Sequence, residues 1–121
     1  MGKGRYVIPG SPDFEAMVTN NLADDQRRNG QYEEAERLFM KAIGIWEAEE
    51  RDFREQIQTC HFSLGVLNLA RGDLAKAADH IDTGCQLLSG AEAAVYLKIL
   101  QVLRTGDART LRDLQEQAKH W

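Results

Sequence analysis

Apolar residues recur at offsets of three and four along most of the chain with polar residues between them, the period of helices that bury one face. Tyr32, Ala35, Leu38, Phe39, Ala42, Ile43 and Trp46 form the clearest stripe and predict a helix with these residues on its inner side. Before it, Ser11-Pro12 marks a helix start, because a serine hydroxyl accepts an orphan amide and proline at the first position sacrifices no hydrogen bond. That first helix carries Phe14, Met17, Val18, Leu22 and Ala23 as its expected apolar stripe and ends at Asn29-Gly30. A third helix, reaching Ala70, is expected to bury Phe53, Ile57, Cys60, Leu64, Val66 and Leu67. Arg71-Gly72-Asp73 closes it and caps a fourth, with Leu74, Ala77, Ala78, Ile81, Cys85 and Leu88 inside.

Ser89-Gly90-Ala91-Glu92 reads as a capping box for a fifth helix, Ala91 to Arg104. Its Ala94, Val95, Tyr96, Leu97, Ile99, Leu100, Val102 and Leu103 call for cover on most of the circumference. After Thr105-Gly106-Asp107 comes a last helix with a thin apolar set, Ala108, Leu111, Leu114 and Ala118, which suits one face on the stack and one in water. The expected fold is all-α.

One junction leaves two arrangements open. No Gly or Pro occurs from Ile45 to Leu64, so the second and third helices are either separate, with a tight turn near Glu50 to Asp52, or fused and able to exchange partners between chains. Asp52-Phe53-Arg54-Glu55 fits a capping box and favours the turn. Fusion would add about 12 Å of shared helix at 1.5 Å per residue.

The chain also repeats itself. At an offset of 42 positions, Leu22 matches Leu64, Ala23 Gly65, Gly30 Gly72, Tyr32 Leu74, Ala35 Ala77, Phe39 Ile81 and Ala42 Gly84. Such self-similarity marks a helical solenoid, in which each unit buries its apolar face against its neighbours. From Gly72 to Gly106 the interval shortens to 34.

Composition narrows the function classes. With 121 residues, 43% of them hydrophobic, the chain suits one compact domain. Its net charge of -4 comes from interspersed acids and bases, with no block suited to a phosphate backbone or membrane surface, so neither nucleic acid nor membrane is an expected partner. No apolar run approaches the roughly 20 residues of a membrane helix. Cys60 and Cys85 read as free, mostly buried thiols, and with no secretory signal at the N-terminus a cytoplasmic setting is expected. His61 and His80 come from different helices, with no ligand cluster fixed near both, and no glycine loop cradles phosphate. No metal, cofactor or catalytic residue is expected.

The matched positions, Leu22, Ala23, Gly30, Tyr32, Ala35, Phe39 and Ala42 with their second-copy counterparts, resemble the tetratricopeptide repeat, a helix-turn-helix unit of fixed large and small apolar residues. The 42-residue spacing, with Asn-Asn-Leu-Ala before the turn, is similar to the repeats of kinesin light chains and related bacterial proteins. The resemblance covers roughly residues 12 to 105 and weakens in the third unit, where Lys98 falls on a normally apolar position. Residues 1–10, with three glycines, a proline and no helical period, read as a flexible arm, and the resemblance implies a repeat domain over 11–121 with units about 12–51, 52–89 and 90–120 and a C-terminal capping helix.

The resemblance further implies a scaffold or adaptor that binds an extended or helical peptide of another protein in a concave groove lined by the first helix of each unit. By position that groove presents Met17, Asn20, Asn21, Asp24 and Arg28, then Thr59, Phe62, Ser63 and Val66, then Tyr96, Leu97 and Leu100. Asparagine amides, with donors and an acceptor, suit the main chain of an extended peptide. One subclass of the family clamps the terminal carboxylate of heat-shock chaperones with Lys and Asn. The corresponding places here hold Asn20, Asp24, Ser63, Ala93 and Leu97, so that clamp is missing. The alternative is self-association as a homodimer by helix exchange, motivated by the apolar fifth helix and the unbroken junction.

Overall fold

A computed structural model describes residues 8–121; the arm expected over 1–10 lies largely outside the described residues. Among the described residues there are six helices and no strand: α1 (Pro12–Arg28), α2 (Tyr32–Glu47), α3 (Arg54–Ala70), α4 (Leu74–Leu87), α5 (Ala91–Thr105) and α6 (Ala108–Ala118). The pairs α1/α2 and α3/α4 pack most extensively, and α2 against α3 joins the two pairs. This is an all-α, tetratricopeptide-like helical repeat.

Local chemistry explains the two hairpin turns. Asn29 ends α1, and Gly30 enters the left-handed region at φ +78°, where a side chain would be strained. Gln31 then donates to the Gln26 carbonyl at 2.9 Å and Gly30 to that of Arg27 at 3.0 Å, the paired bonds of a Schellman motif. Gly72 repeats this at φ +86°, with Asp73 bonded to Asn68 and Gly72 to Leu69. Gly106 does not: its φ is -71°, so the third turn differs from the first two. Ser11 caps α1 through the Phe14 amide, Asp73 caps α4 through Lys76 and Asp107 caps α6 through Thr110.

Two expected caps are not made. Phe53, not Asp52, stands at the N-cap of α3, and Gly90, not Ser89, at that of α5. In each case the first helical bond starts one residue later than the capping box requires, from Ile57 to Phe53 and from Ala94 to Gly90. Asp52 instead accepts from the Arg54 amide and guanidinium, which hold its carboxyl down at about 2. Residues 48–53 are non-helical, so α2 and α3 are separate helices and the added length expected from fusion is absent.

The core follows the α2 stripe closely: Ala35, Leu38, Phe39, Ala42, Ile43 and Trp46 are all buried. They form one cluster with Ala16, Ala23, Phe53, Ile57, Cys60, Leu64 and Leu67. Trp46 Nε1 donates to Asp13 Oδ1 at 2.9 Å, which lets a carboxylate sit inside at the start of α1. The α1 stripe is the main correction. Phe14, Val18 and Leu22 face outward, with Val18 49% exposed, while Asp13, Ala16, Thr19 and Ala23 are buried. Val18 and Leu22 match Cys60 and Leu64, which are sealed in the cluster with α2 residues; among the described residues no helix precedes α1 to do the same.

The fifth helix also differs from expectation. Only Ala93 and Leu100 of α5 are buried, and Val95 and Leu97 are more than half exposed. The reason lies in α6, which touches α5 little and packs chiefly on α3. Ala118 is buried in a cluster with Val66, Leu69, Ala70 and Ala77, on which Tyr96, Leu103 and Leu114 also pack. As a result α3 buries an unbroken run from Leu64 to Ala70.

Candidate peptide-binding cleft

Helices α1 and α3 both pack on α2 and also touch each other. Met17, Asn20 and Asn21 of α1 and Thr59 of α3 line one open cleft of about 220 Å³, walled also by Trp46, Glu55 and Gln56. Asn20 does two things there. Its Oδ1 accepts from the Cys60 thiol at 3.2 Å, which ties α1 to α3, and the residue lines the cleft. Asn21 and Thr59 are exposed, and Thr59 bonds back to the Glu55 carbonyl of its own helix.

The other expected groove residues are placed differently. Asp24 binds Arg27 at 3.0 Å and Arg28 at 2.7 Å, so Asp24 and Arg28 are already partnered with each other. Phe62 is buried, with its ring stacked on Tyr96, and Val66 lies in the cluster with Ala118. Leu100 is buried as well, Ser63 is half-buried, and Leu97 is exposed on α5. The cleft thus gathers Met17, Asn20, Asn21 and Thr59, while Phe62, Val66 and Leu100 face the chain's own elements.

Sequence reading missed three wall residues, Trp46, Glu55 and Gln56. Glu55 and Gln56 precede Thr59 by four and three positions, which puts them on adjoining faces of one helix, so helical spacing was the available signal. Trp46 reads only as core. Arg27, mostly buried, donates to the Trp121 carbonyl at 3.3 Å, a contact across 94 positions that no local pattern encodes.

Charged and titratable groups concentrate beyond the cleft. Glu36 on α2 binds Arg71 at 2.8 Å and Lys76 at 3.6 Å, bridging α2 to the α3/α4 turn. Burial pushes the Glu36 carboxyl up, but the Arg71 hydrogen bond and charge outweigh it and hold it low. His61 and His80, which the sequence leaves apart, face each other with Nδ1 atoms 3.1 Å apart. Burial, with the neighbouring ring, lowers His61 to about 4, and burial lowers His80 as well, which favours the neutral rings that a hydrogen bond between the two Nδ1 atoms requires. Burial pushes the Cys60 thiol up to about 12, far from a reactive thiolate. Among the described residues no group of three or more His, Cys, Asp or Glu side chains is placed to hold a metal ion, and no helix is long and apolar enough to cross a membrane.

A family model described as tetratricopeptide repeat matches residues 14–88, which include both hairpins and every residue of the α1/α3 cleft. No curated protein and no solved structure matches the chain. Repeats of this kind generally mediate protein–protein interaction. With the match spanning more than half of its length and two Schellman-closed helix hairpins stacked through α2 and α3, the chain belongs to the tetratricopeptide repeat family.

Proposed function

We propose that this chain is a non-enzymatic interaction module, an adaptor or scaffold, that holds a segment of a partner protein in the cleft between α1 and α3. The observation that carries this reading is the convergence of Met17, Asn20, Asn21 and Thr59 on one open cleft. Met17 and Trp46 supply apolar contact, and the Asn and Thr groups supply donors and acceptors for a peptide main chain. Glu55 at the rim gives that end an acidic edge. No cofactor is needed for this task, and a cytoplasmic setting is consistent with the free thiols of Cys60 and Cys85.

The test is parallel affinity capture from host lysate with the intact chain and a Met17→Ala, Asn21→Ala, Thr59→Ala variant. Asn21 and Thr59 are exposed and Met17 is half-buried against the core, so circular dichroism checks that the variant stays folded. Proteins held by the intact chain and released by the variant support the cleft. The same set on both baits overturns it.

A second reading, self-association, draws on a different observation. Phe14, Val18 and Leu22 form an outward apolar stripe on α1, equivalent by repeat position to the α3 face that α2 covers. A homodimer through this stripe requires no helix exchange. A concentration-dependent dimer lost in Leu22→Glu supports it, and a monomer at high concentration removes it.

A further inference from the structure

Helices α3 and α4 bring two imidazoles together on a side of the hairpin that the cleft does not use. The Nδ1 atoms of His61 and His80 are 3.1 Å apart, with ring centroids at 5.3 Å and planes inclined by 31°, so the rings meet edge to edge. His61 follows Thr59 by two positions, about 200° around α3, which turns it away from the cleft. We propose that this pair is a two-point chelate for a divalent transition-metal ion of the kind imidazole favours, Cu2+, Ni2+ or Zn2+, with water in the remaining coordination positions. The proposal goes beyond the interaction-module reading and stands without it.

Three observations carry it. The first is the separation of the two nitrogens. Ligand atoms at about 2.0–2.1 Å from one ion, and about 100° apart around it, lie about 3.1 Å from each other, so the two helices already stand at the right spacing. The ion sits off the line between the nitrogens, and the rings reach it by tilting about their side-chain torsions while the backbone stays in place. The ring that donates in the present pair changes tautomer, its proton passing from Nδ1 to Nε2, so neither ring gains or loses a proton overall. The second is availability. Both rings are only half-buried, and burial holds both below the ordinary imidazole range, so near pH 7 the ion displaces no proton from them. The third is the surrounding charge. Lys76 and Arg71 face His80 from one side of the balance and Glu36 and Asp79 from the other, with Glu36 holding Arg71 at 2.8 Å and Lys76 at 3.6 Å. Two cations are thus matched by two carboxylates.

Among the described residues no third His, Cys, Asp or Glu joins the pair as a ligand, so the ion is exchangeable, unlike one held in a closed four-ligand site. One ligand comes from each helix of the hairpin, and the bound ion therefore ties α3 to α4. In the unfolded chain the two rings are 19 positions apart along a flexible backbone and are not held at chelating distance. Binding favours the folded state for that reason, and stability rises with ion concentration.

The probe is Ni2+, which suits imidazole better than it suits the thiols of Cys60 and Cys85. Calorimetric titration of the full chain near pH 7 should give one ion per chain. His61→Gln and His80→Gln should each weaken binding at least about ten-fold, because each removes half of the ligands the chain supplies. His120→Gln, which alters the third histidine of the chain, should leave it unchanged. No binding, undiminished binding in both variants, loss of binding in His120→Gln, or equal affinity for Mg2+ overturns the proposal. Two measurements on the unmodified chain guard against variants that do not fold. Paramagnetic Ni2+ should broaden the nuclear magnetic resonance signals of the His61 and His80 rings before those of His120, and the reverse order overturns the site. The urea midpoint should rise with Ni2+ concentration, and a midpoint that stays fixed while the ion binds overturns the link between α3 and α4.

Discussion

The ring of Phe62 lies nearly parallel to that of Tyr96, with centroids 4.0 Å apart and planes inclined by 7°. This stack joins α3 to α5 and fixes Phe62 against α4, where a Cβ built on Gly84 would stand 2.6 Å from the ring. Gly84 matches Ala42 by repeat position, so glycine here reflects the bulk of Phe62. Gly84→Ala should destabilise the fold by about 1–3 kcal/mol, because a ring pinned by Tyr96 has little room to retreat. A urea midpoint equal to that of the wild type would contradict this account.

The buried Trp46–Asp13 hydrogen bond should be worth more than an exposed contact. Asp13→Ala leaves the indole N–H without its acceptor in the core and should cost about 1–3 kcal/mol. Asp13→Asn, which keeps an oxygen acceptor, should cost less. Urea unfolding followed by circular dichroism orders the three chains, and a reversed order would refute the assignment.

The facing imidazoles of His61 and His80 make stability depend on pH. Both groups are lowered in the folded chain, His61 to about 4, so the unfolded chain binds more protons wherever the two states differ. Their contribution is therefore present above about pH 6.5 and lost as pH falls toward 4. Glu36 and Asp79 pull His80 up, while Lys76 and Arg71 push it down, so these charges moderate the effect. His61→Gln should reduce the loss of stability between pH 6.5 and 4 by about 1–2 kcal/mol. Unfolding curves with parallel pH dependence in both chains would refute it.

At the first hairpin turn the backbone makes the demand. Nothing stands near a Cβ at Gly30, so Gly30→Ala should cost about 1 kcal/mol through its positive φ alone. Gly30→Asn should cost less, since asparagine tolerates that region better. Thermal melts of both variants check the order, and equal costs would argue for a steric cause.

The legible parts of the sequence were those set within a turn or two of helix. The stripe of α2 is buried as read from Ala35 to Trp46, with Tyr32 half-buried at its start, because both of its long sides are covered, by α1 and by α3. The stripe of α1 was misread for the opposite reason: Phe14, Val18 and Leu22 have the right spacing, yet spacing alone does not say whether a neighbour exists. In the cleft, Met17, Asn20, Asn21 and Thr59, which repeat position puts on one surface, line a common wall. Repeat position could not foresee that Phe62 and Val66, on the same face, would be covered by Tyr96 and α6.

By itself, then, the sequence determined the six helices, the caps at Ser11, Asp73 and Asp107, and the left-handed turns at Gly30 and Gly72. Each depends on hydrogen bonds and torsions among residues close along the chain. Only the tertiary structure decided the break at residues 48–53, the meeting of His61 with His80, and the course of α6 across α3. These depend on which apolar faces are left uncovered once the first hairpins have stacked, a competition between distant surfaces that local periodicity does not rank.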